Sequence, residues 1–181
     1  MLEVKPAEFL VLHYTQVSQA LIKEHGINYV ILSGRANSDW GEGEMLLYEK
    51  VFELIRACPV PLLGICAGLQ LIALAYGAKM DYICSRNKEL AIEKGYLPVK
   101  ILTGDKIFHG LDAEITVFQQ HYCEVKELPG GFFHLASSDV SYIQCIKDGQ
   151  RDVYGVQFHP ERYTDDYPHG RVILENFFSL S

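Results

Sequence analysis

The chain has 181 residues, 49% apolar and 22% charged, with a formal net charge of −7. That length suits one domain with a substantial core, and the acidic balance disfavours a nucleic-acid backbone as partner, since such binders usually carry a basic footprint. No apolar stretch approaches membrane-span length, no signal-peptide pattern opens the chain, and five cysteines without CxxC spacing argue against a disulfide framework or a zinc site.

Along the chain, Glu8 to Tyr14 reads as an apolar strand and Gln16 to His25 as a helix closed by Gly26. Asn28 to Ser33 reads as a buried strand ending at Gly34. Arg35 to Gly43 is a polar loop with the only tryptophan, Trp40. Leu47, Val51, Leu54, Ile55 and Cys58 share one face of the next helix. Pro59 to Leu63 is a strand, followed after a tight turn by a helix beginning Leu71-Ile72-Ala73-Leu74. Beyond Gly77 the pattern becomes β-like: Leu97–Leu102, Thr116–Gln119, Phe132–Ala136, Tyr142–Ile146 and Val153–Phe158, with Asp148-Gly149 as a turn. A helix from Gly170 to Leu180 closes the chain. Alternating strands and helices in the first half predict an α/β protein with a mostly parallel sheet, helices on both faces and an antiparallel extension in the C-terminal half. No repeat or linker divides residues 1–181.

The turn after the Pro59–Leu63 strand reads Gly64-Ile65-Cys66-Ala67-Gly68-Leu69-Gln70. Gly-x-Cys-x-Gly is the thiol version of the nucleophile elbow, where the flanking glycines relieve a cramped turn. Cys66 would lie at the start of a helix, whose partial positive charge favours the thiolate. The Ala67 N–H would point where an oxyanion forms. Taken alone, the same pattern also describes a small buried hydrophobe before a core helix. Gln70, one turn along, faces the elbow side, or is a satisfied polar residue at a pocket edge.

Gly155-Val156-Gln157-Phe158-His159-Pro160-Glu161 supplies a base and an orienter. In extended backbone His159 and Glu161 point to the same side, and Pro160 restricts both itself and His159. His159 could take the Cys66 proton and return it to a leaving amine, with Glu161 fixing the imidazole. A surface His-Pro-Glu turn is the plain alternative. The buried-strand pattern of Tyr154–Phe158 weighs against it, because it delivers His159 to a strand end. Among the other histidines His121 stands out, beside Gln119, Gln120 and Tyr122.

These segments together resemble the class I (triad-type) glutamine amidotransferases. Val30-Ile31-Leu32-Ser33-Gly34 looks like the strand feeding their oxyanion loop, Gln120-His121-Tyr122 their substrate-contact segment, and His169-Gly170-Arg171 to Asn176-Phe177-Phe178 their closing helix. The resemblance runs from about Asn28 to the C-terminus. It implies a flavodoxin-like fold and hydrolysis of the glutamine side-chain amide through a cysteinyl γ-glutamyl thioester, with ammonia passed to a separate synthase. Carried over by position, Cys66, His159 and Glu161 form the triad. Ala67 with Gly34 or Arg35 forms the oxyanion hole. Gln70 and the segment Gln120, His121, Tyr122 and Cys123 hold the substrate's α-amino and α-carboxylate ends. No metal or organic cofactor is implied. The setting is the cytoplasm, with neither membrane nor nucleic acid as partner.

Three departures qualify the likeness. Ser33-Gly34-Arg35-Ala36 stands where the family commonly has Ser-Gly-Gly-Pro, and arginine resists positive φ; Arg35 could instead meet a substrate carboxylate. Ala67 and Leu69 replace a common leucine and histidine. The chain starts about one βα unit late, unless Glu8–Tyr14 does the first strand's work. Two other functions stay open: a stand-alone γ-glutamyl hydrolase acting on a γ-glutamyl amine or peptide, and a non-catalytic binding or regulatory protein that keeps the pocket.

Overall fold

The computed structural model describes residues 4–35, 45–84 and 89–180. Among these, four α-helices, α1 Gln19–Glu24, α2 Glu49–Ala57, α3 Ala67–Ala75 and α4 His169–Phe177, accompany nine strands. The strands are β1 Val30–Leu32, β2 Leu62–Ile65, β3 Met80–Tyr82, β4 Glu93–Ile101, β5 Glu114–His121, β6 Cys123–Val125, β7 Phe132–Ser137, β8 Cys145–Asp148 and β9 Val153–Val156. Seven form one sheet in the order β1-β2-β9-β8-β7-β4-β5, while β3 and β6 pair separately.

The sheet is mixed rather than mostly parallel. Within it, only β1–β2 and β2–β9 run parallel; the pairings from β9 through β8, β7 and β4 to β5 are antiparallel. The antiparallel extension expected from the second half therefore makes up the larger part of the sheet. Short turns such as Asp148-Gly149 can join only antiparallel neighbours, whereas parallel strands need a crossover.

Strands β2 and β9 are buried at every position, as befits a sheet covered on both sides. Leu62 and Val153 pack into a core with Leu54 and Ile55 of α2 and Leu69 and Ile72 of α3. Leu63, Ile65, Tyr154 and Val156 point the other way, into a core with Ile173, Leu174 and Phe177 of α4. Helices thus cover both faces, as expected. The contact between α3 and the sheet is unusually close. A Cβ on Gly68 would lie 2.3 Å from the Leu32 carbonyl oxygen, and one on Gly64 would lie 2.5 Å from the Gly68 carbonyl.

Several expected elements are corrected. Glu8–Tyr14 forms no strand: Phe9, Leu10 and Val11 are exposed, and Tyr14 enters a 3-10 turn, Tyr14–Gln16, where its ring stacks on Tyr48 at 4.5 Å. Leu47 is exposed because Met45–Tyr48 is also a 3-10 turn, whose three-residue period puts Tyr48 rather than Leu47 on the buried side. The strand expected at Tyr142–Ile146 begins only at Cys145, after an exposed Tyr142. The loop residues from Ala36 to Gly43, Trp40 among them, lie outside the described residues.

Candidate active site

Cys66 follows β2 and caps the N-terminus of α3, with its backbone N–H bonded to the Val156 carbonyl at 2.8 Å. Its φ is +53° and its ψ −105°, and among the described residues it is the only non-glycine with positive φ. Such strain persists only where the surroundings enforce it. Here it is enforced by α3, seated tightly on β1 and β2. Arg35 needs no positive φ, so its replacement of glycine costs no backbone strain. Its guanidinium lies 3.4 Å from the Tyr48 hydroxyl.

His159 follows β9. Its position is secured from a second direction by β5, because its N–H donates to the Phe118 carbonyl at 2.8 Å. Pro160, packed under Gly170 of α4, fixes the next turn; a Cβ at Gly170 would approach the Pro160 oxygen to 2.4 Å. Glu161 Oε1 lies 2.7 Å from His159 Nδ1. Arg162 then spans the outside, its guanidinium 3.7 Å from the Phe118 ring centroid and bonded to Gln120 Oε1 at 2.9 Å.

The elements meet at Gly34. A Cβ there would sit 2.9 Å from His159 Cε1 and 3.6 Å from Cys66 Cβ. The Cys66 and His159 side chains therefore converge on one point. Burial alone would lower the His159 pKa; the bonds to Cys66 and Glu161 outweigh it and push the value up to about 9. At neutral pH the imidazole therefore holds a proton beside the sulfur.

The remaining expected residues divide. Gln70 is buried, and its Nε2 donates to the Cys123 carbonyl at 3.2 Å and to Gln157 Oε1 at 3.3 Å. His121 and Cys123 are buried beside it, with His121 Nδ1 3.0 Å from the Cys123 oxygen. The Tyr122 ring stacks on Tyr82 at 5.9 Å. Gln120 does not join them by its side chain, which is exposed and turned to Arg162. Ala67 is the first residue of α3.

Gln157 went unnoticed as a site residue. It is fully buried, and its Nε2 lies 3.6 Å from Cys66 Sγ. The available signal was an amide inside an otherwise apolar strand run, since a buried amide must find partners. Among the described residues no group of His, Cys, Asp or Glu could hold a metal ion, and no helix is long and apolar enough to cross a membrane.

The sequence profile of the family described as glutamine amidotransferase class-I matches residues 3–180. The chain belongs to that family. Relatives of this amidotransferase include the glutamine-hydrolysing GMP synthases of Staphylococcus carnosus, 37% identical over 167 residues, and of Staphylococcus aureus, 36% identical. Each alignment covers 92% of this chain but only 30% of the relative. A solved structure assigned as one component of a GMP synthase, from Thermoplasma acidophilum, superposes with a TM-score of 0.76 at 32% identity, covering 90% of this chain and 76% of that one. A glutamine amidotransferase from Thermotoga maritima, 22% identical with a TM-score of 0.67 over 83% of this chain and 76% of that one, shares the fold.

Proposed function

We propose that this amidotransferase hydrolyses the side-chain amide of L-glutamine and hands ammonia to a separate synthase, as the glutaminase component of a GMP synthase. The observation that carries the reading is the positive-φ Cys66 at a helix N-terminus, beside a His159 that is bonded to Glu161. The similarity to proteins named GMP synthase supports the choice of acceptor system. The β1-β2-β9 core, with helices on both faces, is read as the flavodoxin-like part of a single domain. A free thiol nucleophile suits a reducing cytosol.

Cys66 Sγ attacks the amide carbon while the proton stays on His159. The N–H groups of Ala67 and of Gly34 or Arg35 receive the oxyanion. Collapse breaks the C–N bond, and His159 gives its proton to the departing ammonia. His159 then takes a proton from water, hydroxide attacks the γ-glutamyl thioester, and glutamate leaves with the thiol restored. Gln157 Nε2 is placed to donate to the sulfur between these steps. Gln70 and the Tyr122–Cys123 backbone hold the α-amino and α-carboxylate ends. The stand-alone hydrolase reading drew on Arg35 as a carboxylate anchor, and the guanidinium at Tyr48 lends it no added weight.

The test is ammonia release from L-glutamine by the purified chain, alone and with its synthase, beside Cys66→Ser. Release is expected from the wild type, stimulated by the synthase and absent in Cys66→Ser. Substantial turnover by Cys66→Ser would put the nucleophile elsewhere. A wild type that alkylates rapidly at Cys66 yet ignores glutamine, even with the synthase, would point to another γ-glutamyl substrate.

A further inference from the structure

Behind the glutamine pocket lies a buried carboxylate that the mechanism does not use. Glu93 opens β4 and is paired in register with His121, the last residue of β5. Their side chains are each 2% exposed, with Glu93 Oε2 2.9 Å from His121 Nε2. A buried carboxylate is tolerated only with full hydrogen bonding, and here it is supplied. Gln144 Nε2 donates to Oε2 at 2.7 Å and Ser138 Oγ donates to Oε1 at 2.7 Å.

The carboxylate also dictates how its neighbours face. Gln144 must turn its NH2 group to Glu93, so its Oε1 receives Gln119 Nε2 at 2.9 Å. Gln119 must then offer its own Oε1 to His121 Nε2, at 3.1 Å. The other ring nitrogen, Nδ1, donates to the Cys123 carbonyl. Both nitrogens thus face oxygen atoms of neighbouring groups. The Cys123 oxygen also receives Gln70 Nε2, and Gln70 reaches Gln157 beside the thiol. A line of hydrogen bonds therefore joins Glu93 to the pocket by way of His121. From the opposite side, Ile83 N–H donates to the Tyr122 carbonyl at 2.8 Å, so the bend between β5 and β6 is gripped from two directions.

We propose that Glu93 is a positioning residue that, through His121, fixes the Tyr122–Cys123 bend and the Gln70 amide and thereby sets the affinity for glutamine. The inference rests on the reading of this pocket as the glutamine site. The line meets the substrate-holding groups first and reaches the thiol only beyond them, through Gln157, and it does not touch His159, so loss of the carboxylate should fall mainly on binding.

The test compares wild type, Glu93→Gln and Ser138→Ala with the synthase present, reading kcat and KM for glutamine. Two further readouts are inactivation by the diazoketone analogue of glutamine and alkylation of Cys66 by iodoacetamide. Glu93→Gln is expected to raise KM about tenfold or more, the scale of a lost buried hydrogen bond to a charged group, with kcat within about twofold. Analogue inactivation at subsaturating concentration should slow in the same proportion, while iodoacetamide alkylation stays unchanged. Should Glu93→Gln fail to fold, Ser138→Ala removes one donor to the carboxylate and should raise KM by about two- to fivefold, with a small fall in the urea midpoint because the same hydroxyl also receives the Ser141 N–H. An unshifted KM in a folded variant, a fall in kcat alone, or alkylation slowed in step with turnover would overturn the proposal. A wild type without glutaminase activity would sink the glutamine reading and this inference together; normal wild-type turnover beside an unshifted KM would sink this inference only.

Discussion

His159 is pulled two ways: desolvation disfavours its charge, and the bonds to Cys66 and Glu161 favour it and prevail. A ring that keeps its proton to about pH 9 can serve as the acid that expels ammonia across the neutral range. Activity should therefore show an alkaline limb near pH 9, where that proton is lost. Glu161 bonds the ring through Oε1, while Oε2 is buried with no hydrogen-bond partner among the described residues. Glu161→Gln keeps an acceptor for Nδ1–H but removes the charge that sustains the imidazolium. It should move the alkaline limb to lower pH. Its loss in kcat should be smaller than that of His159→Ala by roughly tenfold or more, since an orienter is less essential than the base it orients. The pH profile of kcat/KM and the kcat values of the three proteins check both parts. An unmoved limb, or a larger loss from Glu161→Gln, would contradict the roles given to the pair.

At the scale of elements, the elbow depends on how deeply α3 sits against the sheet. Gly68 faces the Leu32 carbonyl of β1, and Gly155 of β9 faces Leu69, where a Cβ would meet the side chain at 3.1 Å. Gly68→Ala must push α3 outward, because its 2.3 Å contact is with backbone that cannot rotate away. About 1–3 kcal/mol of stability should be lost, as for other overpacked sites. Iodoacetamide alkylation of Cys66 should slow with it, because the helix carries the thiol. Urea unfolding and alkylation rates test this, and an unchanged midpoint would mean that the helix seat is looser than its geometry implies. The same closeness explains why the elbow was legible from seven consecutive residues: a local turn leaves a local signature, and His-Pro-Glu does likewise. Glu93, Gln119, Gln144 and Gln157 lie on four different stretches, and only strand register brings them together, so no short pattern announces them. Glu8–Tyr14 misled for a related reason. An apolar run states that it avoids water, not that a strand edge is there to pair with it.

Across the whole molecule, the perturbed protonation equilibria on the alkaline side share one sign. Burial pushes up the thiols of Cys58 and, more strongly, Cys145. Burial together with the Asp105 bond pushes up the Tyr154 phenol. His159 rises from an ordinary 6.5 to about 9. In each case the folded state holds its proton longer than the unfolded chain does, so stability falls as pH rises. The His159 share is complete below about 6.5 and is lost as pH passes through about 9. The thiol share starts to erode once the unfolded thiols ionise, near 9.0. Asp148 works in the opposite sense. Burial opposes its charge, but bonds from Gln150 and Arg151 prevail and hold its pKa below the usual 3.8, so its share is lost only as pH falls through the acid range. Stability should therefore be greatest near pH 6 and decline steadily by pH 9.5, as read from urea midpoints under reducing conditions. His159→Gln should flatten the decline between about pH 6.5 and 9 while leaving the steeper fall above it, since the buried thiols and phenol remain. A midpoint that holds constant to pH 9.5 in the wild type would mean that His159 keeps no more proton in the folded chain than in the unfolded one. That result would also remove the imidazolium from the first step of catalysis.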